Sequence, residues 1–396
     1  MSGRFGPPNS GFWRHEYSVE PEDVLDDVEE GFWRQFGPWT AIPGSQFSKT
    51  LRNTLVEFPR DCIRLIRCRP FTYVFRSPLH VIERNCGLRI HRSFATKIVN
   101  RWFSRRTILI GDAAHVFPPF GGQGIAAGIR DAQSLSWRLA LMSNLGVSVQ
   151  LRERILEGWS QERRHAWNSA TLATKLNGSI VNDRSLVSGW IYRVCMRVVW
   201  WFPCLARWRT RRAFRDKLIY NALTCPDGFF LEQKGGGRKV AQVWVRRRDT
   251  APVLSDTVFL RNLPRLGLIV FFRSVADAET AVREVDEAIY QAGVSPELLT
   301  TMDVTYYCLA SKGIVAKILE KLDLADQTYY PCREEELKEE GISLIRGYCE
   351  TAVQDRYPSS TKYVLMRPDF FVHSLAANGR ELRANLQAVN EYFSDL

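Results

Sequence analysis

The sequence predicts an α/β protein of two or three domains, on three observations. The chain has 396 residues, against a usual domain size of about 150. Apolar residues make up 45% and charged residues 24%, the balance of a chain that folds around real cores. Strand-like and helix-like runs also alternate through its second half, the pattern of helices packed on a sheet.

Residues 1–105 carry a strand-like run at Arg14 to Val19, a helical stretch near Val28 to Phe36, and several apolar runs punctuated by arginine. Residues 107–142 read as strand, loop and helix. Thr107-Ile-Leu-Ile110 is a short run rich in β-branched residues, ended by Gly111. Pro118-Pro-Phe-Gly-Gly-Gln123 holds two prolines and two glycines, so no regular element fits it. Ile125, Ile129, Ala132, Leu135, Leu139 and Met142 then recur at helical spacing. Residues 150–220 are helical in pattern and rich in arginine. Within them, Trp190 to Trp208 has the aromatics of a membrane-surface helix, but Arg193, Arg197, Arg207 and Pro203 interrupt it. An amphipathic helix packed on its own protein is the simpler reading. Lys234-Gly-Gly-Gly-Arg238 has linker composition. Beyond it, strands are expected at Val240 to Val245, Leu266 to Phe272, Val304 to Leu309 and Tyr363 to Met366. Helices are expected at Asp277 to Ala292, Gly313 to Leu324 and Glu381 to Phe393.

Charge and cysteine usage exclude several classes. Basic residues exceed acidic ones by 11, and 43 of the 54 are arginine. Arginine suits planar, bidentate contacts to phosphate or carboxylate, so an anionic cofactor or substrate fits. The excess forms no tail, which argues against nucleic acid. Nine cysteines without a CxxC pair, and six histidines without ligand spacing, point to reduced thiols and to no metal centre. The first residues, Met-Ser-Gly-Arg-Phe-Gly-Pro-Pro, contain no apolar core of signal-peptide length, and no transmembrane segment is expected. A cytoplasmic location follows as an expectation.

The stretch 107–139 is the informative one. Asp112 is expected just past the carboxyl end of a buried strand, where ligands bind in open α/β sheets, and its carboxylate can accept hydrogen bonds from sugar or ribityl hydroxyls. Gly121, Gly122 and Gly124 carry no Cβ and let backbone approach a flat ligand. A helix opening at about Gly124 aims its unpaired N–H groups at whatever lies before it, a position suited to an anion. An ordinary glycine-rich connection, with Asp112 capping a turn, is the plain alternative.

Gly111-Asp-Ala-Ala-His115, Pro118-Pro119, Gly121-Gly-Gln-Gly124 and Gly128-Ile-Arg-Asp-Ala132 resemble the second flavin-binding motif of the FAD-dependent aromatic hydroxylases, the class A flavoprotein monooxygenases. The resemblance implies that Asp112 holds the ribityl chain of FAD. It implies that Gly111, Pro118, Pro119, Gly121, Gly122, Gln123, Gly124 and Ile125 line the rest of the cofactor site. Weaker likeness extends further. Trp13-Arg-His-Glu-Tyr17 is similar to a substrate-domain strand, and Trp159-Ser-Gln-Glu-Arg-Arg164 to the helix that follows the motif. Val243-Trp-Val-Arg246 and Tyr363-Val-Leu-Met-Arg-Pro-Asp369 are similar to the borders of a thioredoxin-like domain in the phenol hydroxylase and hydroxyphenylpropionate hydroxylase branch. The implied fold is a partial FAD-binding domain with a β-sheet substrate domain and a thioredoxin-like C-terminal domain. Its parts are 1–105 (remainder of the substrate sheet), 106–235 (second half of the FAD domain and following helices) and 238–396 (thioredoxin-like).

The implied activity is hydroxylation of a phenol-type aromatic with NAD(P)H and dioxygen, in the setting of secondary metabolism, by a homodimer. The family's opening strand–GxGxxG–helix unit and its intermediate Asp-Gly motif have no counterpart in this sequence, and Ser77 to Arg92 reads as an insertion. The chain is then either an incomplete gene product or a shortened homologue. No catalytic residue is assigned. His115 is expected to shape the motif's turn, and Arg130 and Asp131 to make surface or packing contacts. Arg14, Arg64 and Arg69 are candidates for an anionic substrate, with solvated arginines the plainer reading. Two other classes stand beside the enzyme. One is an inactive homologue that binds a partner through a domain lacking CxxC; the other is a membrane-surface or nucleic-acid binder driven by net charge.

Overall fold

The computed structural model describes residues 2–4, 13–15, 96–117, 122–182, 191, 194–195, 198, 201–202, 218–247, 250–309, 326–342, 344 and 348–394. The chain divides into two compact units, Met1–Phe94 and Ala95–Leu396. In the first, β1 (Ser2–Arg4) pairs antiparallel with β2 (Trp13–His15), where a strand-like run was expected. The helical stretch near 28–36, the insertion at 77–92, Arg64 and Arg69 lie outside the described residues.

The second unit opens with two short hairpins. β3 (Lys97–Ile98) pairs antiparallel with β6 (His115–Val116), and β4 (Phe103–Ser104) with β5 (Thr107–Ile108). The run at Thr107 is therefore not a buried strand of an open sheet. It folds back on its immediate predecessor through Arg105, whose φ is 52°, and among the described residues no parallel neighbour pairs with it. Ile110 stays 39% exposed as a result.

Two long helices follow, α1 (Gln123–Leu145) and α2 (Val149–Asn182). The first begins where the glycines end, as the sequence predicts, and Gly146 stops it in the left-handed conformation, φ 61°. Its buried face is Ala127, Asp131, Ser134, Leu135, Trp137, Arg138, Leu141 and Met142. The apolar stripe read from the sequence is only partly this face. Leu135 and Met142 are buried, whereas Ile125, Ile129, Ala132 and Leu139 are exposed. A count of apolar residues misplaced the face because three polar side chains, Asp131, Ser134 and Arg138, are buried in pairs (see below).

The remainder is one seven-stranded sheet, in the order β13–β12–β9–β10–β11–β7–β8. Its members in chain order are β7 (Trp244–Arg246), β8 (Val253–Leu254), β9 (Gly267–Phe272), β10 (Val304–Cys308), β11 (Thr328–Pro331), β12 (Tyr363–Met366) and β13 (Val372–Ala376). The helices are α3 (Ser255–Phe259), α4 (Val275–Ala292), α5 (Glu334–Glu339), α6 (Ala352–Asp355) and α7 (Gly379–Phe393). β9 runs parallel to β10, with α4 as the crossover, and β10 parallel to β11; β12 and β13 are antiparallel additions.

Alternation along the central strands builds two cores. Leu268, Val270 and Phe272 face α4 and α7 together with Val304, Tyr306, Tyr363 and Leu365. Ile269, Phe271, Tyr307, Val364 and Met366 face the opposite way. Both covering helices are capped by side chains that accept a backbone N–H: Ser274 from Asp277, and Asn378 from Glu381. Four predicted strands and two predicted helices thus exist within a few residues of their expected bounds; the helix at 313–324 lies outside the described residues. Trp137 and Leu141 of α1 join the first of these cores, so α1 is shared between the sheet and the segment before it.

The Gly-rich stretch at 234–238 is no free linker. Gly237 donates its N–H to the Val372 carbonyl at 2.9 Å, and its own carbonyl accepts from Tyr220 N–H at 2.9 Å. A Cβ there would lie 2.4 Å from the Tyr220 carbonyl oxygen, and φ is 83°. Glycine composition here serves close packing against β13 rather than mobility.

Candidate functional site

The segment that carries the motif is a three-residue 3-10 turn, Gly111–Ala113, between β5 and β6, with α1 following. Asp112 in that turn is exposed. Gly111 lies close to α1 at Gly128: a Cβ on Gly128 would come within 3.3 Å of the Gly111 Cα.

Gly122 is the N-cap of α1 with φ 62°, the left-handed region, and as glycine it has no side chain to cap the helix. Gly124 and Ile125 follow in the first turn, whose N–H groups have no intrahelical acceptor; Gly124 is half-buried and Ile125 is 83% exposed. A Cβ added at Gly122 or Gly124 would meet no atom of the described residues within 4 Å. Gln123, the first residue of the helix, is half-buried. Pro118, Pro119 and Gly121 lie outside the described residues.

Beneath this surface sits a buried set of residues, of which the sequence suggested packing or turn-shaping roles for Asp131 and His115 but no shared network. Asp131 is fully buried on α1 and gathers three donors. Its Oδ2 accepts from Gly111 N–H at 3.0 Å and from His115 Nε2 at 2.7 Å, and its Oδ1 accepts from Arg163 Nε at 2.7 Å. Burial opposes its charge, but the His115 hydrogen bond and the Arg163 guanidinium outweigh that and hold its pKa below the usual carboxylate value. Since an ionised carboxylate only accepts, His115 carries its proton on Nε2. His115 is 2% exposed and packs against Trp102 at 5.3 Å and Phe117 at 5.3 Å between ring centroids. It shapes the turn, as expected. Arg130, its neighbour Asp131's counterpart on the outer face, is exposed.

A second buried network joins the two stretches that resembled family motifs, 159–164 and 363–369. Arg367 NH1 and NH2 donate to the two oxygens of Glu162 at 2.6 and 2.7 Å, and its Nε and NH2 to Asp369 at 2.9 and 2.6 Å. Arg138 of α1 donates to Glu162 at 2.8 Å and to the Ser134 carbonyl at 2.7 Å. No member is more than 4% exposed. Two cations and two anions balance, which is what makes their burial tolerable.

The charges here tie stability to pH. Burial works against the Asp369 carboxylate, but Arg367 prevails and brings its pKa down to about 2. Burial, with Arg367 adding to it, lowers His373 to about 3. In both cases the native state binds fewer protons than the unfolded chain, so these contributions are present near neutral pH and are lost as pH falls. His373 weakens the fold from its ordinary 6.5 downward, and Asp369 removes about 2 kcal/mol more below its ordinary 3.8. Urea unfolding from about pH 7 to about pH 4 should show a steady decline in unfolding free energy. A flat profile would contradict it.

Among the described residues, no three His, Cys, Asp or Glu side chains cluster as a metal site, and no helix is long and apolar enough to cross a membrane.

Residues 89–172 match the family model described as FAD binding domain. A 3-(3-hydroxy-phenyl)propionate/3-hydroxycinnamic acid hydroxylase of Burkholderia cenocepacia (strain HI2424) is 36% identical over 94 residues, 24% of this chain and 17% of that protein. A probable NADH-specific resorcinol 4-hydroxylase of Rhodococcus jostii (strain RHA1) is 48% identical over 50 residues, 13% of this chain and 9% of that protein. Among solved structures, an aromatic hydroxylase from angucycline biosynthesis matches with a TM-score of 0.39 at 18% identity, covering 72% of this chain and 44% of that one. The aligned stretches thus span less than a fifth of the curated relatives named here.

Proposed function

We propose that this chain, whose residues 89–172 match the FAD binding domain model, belongs with the class A flavoprotein monooxygenases and serves an FAD-dependent hydroxylation of a phenol-type aromatic, with NAD(P)H as co-substrate. One observation carries the reading. Within the matched segment, the turn that exposes the Asp112 carboxylate packs on α1 at Gly128, and α1 itself opens from Gly122, where a Cβ at that position or at Gly124 would meet no described atom within 4 Å. That donor and acceptor set fits FAD: a carboxylate for ribityl hydroxyls, and helix N–H groups for an electron-rich ring edge. Asp112 would hold the ribityl chain. Gly111, Pro118, Pro119, Gly121, Gly122, Gln123, Gly124 and Ile125 would lie along the cofactor. When bound, FAD supplies hydride acceptance and the activation of dioxygen, and the protein supplies orientation and shielding.

The domain reading follows the same lines: 1–105 as substrate sheet, 106–235 as the second half of the FAD domain, 238–396 as thioredoxin-like. The last is supported by the parallel β9–α4–β10 unit, the antiparallel β12–β13 hairpin beside β9, and α7 packed on the face that α4 covers. A homodimer in the cytoplasm completes the proposal. Nothing found among the relatives favours an inactive binding protein.

The test is the visible absorption spectrum of the purified chain after incubation with FAD and desalting. Retained flavin bands are expected, and Asp112→Ala should weaken FAD binding about tenfold or more while leaving the free energy of unfolding within about 0.5 kcal/mol of the parent. A protein that leaves desalting colourless after incubation with saturating FAD refutes the reading for this chain.

A further inference from the structure

We infer that Asp131 is the positioning residue of the flavin site: it fixes the turn that presents Asp112, without touching the cofactor itself. The inference rests on the FAD reading above for its functional consequence, but its structural basis is independent. Gly111 and His115 bracket the turn Gly111–Ala113, and both are tied to one carboxylate oxygen of Asp131, at 3.0 and 2.7 Å. The other oxygen is anchored by Arg163 of α2 at 2.7 Å. Turn, α1 and α2 therefore meet at a single buried side chain.

Besides Asp131, the described contacts that hold the turn are the packing of Gly111 on Gly128, the burial of Ala114 beside Trp102 and Trp159, and the Val99 N–H bond to the Ala114 carbonyl at 2.9 Å. A single 3-10 turn is short of the length at which helices sustain themselves, and its internal N–H bonds are Ala113 to Ile110 at 3.3 Å and Ala114 to Gly111 at 2.9 Å. Bonds to a buried, ionised carboxylate are stronger than these. The two aspartates of the motif divide the work. Asp112 is exposed and available to a ligand; Asp131 is wholly enclosed, and its acceptors are used by the protein. The Trp159 indole N–H also reaches the Asp131 main-chain carbonyl at 3.4 Å, which steadies the helix at this point.

The experiment compares Asp131→Asn with Asp112→Ala in the full chain, each studied well below its unfolding midpoint. Asparagine is isosteric but offers one oxygen to three donors. Two quantities are read: hydrogen–deuterium exchange of the peptide spanning 111–115, and the FAD dissociation constant with the visible spectrum of the bound flavin at saturation. Asp131→Asn should speed exchange at 111–115 about tenfold or more, weaken FAD by a similar factor and shift the flavin band. Asp112→Ala should weaken FAD with exchange unchanged. If Asp131→Asn lowers the unfolding midpoint and loosens α1 and α2 generally, while FAD affinity and spectrum stay as in the parent, the residue is structural and the inference fails. If the parent chain binds no FAD, the cofactor reading fails, and exchange decides the rest. Faster exchange confined to 111–115 then upholds the hold on the turn, and unchanged exchange overturns it.

Discussion

Replacing Arg367 with alanine should destabilise the Ala95–Leu396 unit by about 3–5 kcal/mol, measured as the free energy of urea unfolding near neutral pH. Arg367 is fully buried and donates to both oxygens of Glu162 and of Asp369. Its removal leaves two buried carboxylates with Arg138 as their remaining cation among the described ion pairs, 2.8 Å from Glu162 and 3.8 Å from Asp369. An uncompensated buried charge costs far more than the pair ever contributed. The pH response supplies a second signature. Without Arg367 the carboxylates lose the interaction that lowers their pKa, so protonating one of them becomes the cheaper state. The gap between variant and parent should therefore narrow as pH falls from about 7 to about 4. A loss below about 1 kcal/mol, or a gap that widens on acidification, would show that the four charges do not act as one network.

That network also marks the limit of what sequence could convey. Helix α1 was legible because glycines precede it and apolar residues recur at helical spacing. Strands β9, β10 and β12 were legible because Leu266 to Phe272, Val304 to Leu309 and Tyr363 to Met366 are apolar runs that fill both faces of a central sheet. The setting expected for Asp112, the end of a buried strand, was not met: β5 is a two-residue hairpin strand, and Asp112 lies in the turn Gly111–Ala113. Burial of Asp131, Arg138, Glu162, Arg163 and Arg367 was not legible, since a lone charged residue ordinarily faces water and the partners lie as much as 205 positions apart. The exposed stripe at Ile125, Ile129, Ala132 and Leu139 is the same error seen from outside: hydrophobic count placed the core face where polar pairs had displaced it. β13 was missed because His373 and Ser374 break its apolar alternation; in the fold they hydrogen-bond to each other at 3.0 Å. Lys234 to Arg238 was misread because close backbone approach and flexibility ask for the same residue.

Trp159→Ala should be comparably costly, about 3–5 kcal/mol, for a different reason. The indole is fully buried on α2 and meets Trp102 edge-on at 5.6 Å between centroids, in a cluster with Leu135, Met142, Ile155 and Leu156. Alanine there leaves a cavity lined by two helices and the β4–β5 hairpin, too well braced to collapse, and the lost contacts add to the lost transfer energy. The N–H bond to the Asp131 carbonyl is long at 3.4 Å and contributes the smaller part. Trp159→Phe, which keeps an aromatic ring against Trp102 and gives up the N–H and part of the volume, should therefore cost only about 1–2 kcal/mol. Equal losses for the two variants would mean that the hydrogen bond, rather than packing, secures α2 beneath the turn. The predicted inequality instead places the rigidity of the Asp112 turn in two separable parts. An aromatic floor of Trp102 and Trp159 fixes how closely α1 and α2 approach, and the Asp131 carboxylate uses that spacing to bind Gly111, His115 and Arg163 at once.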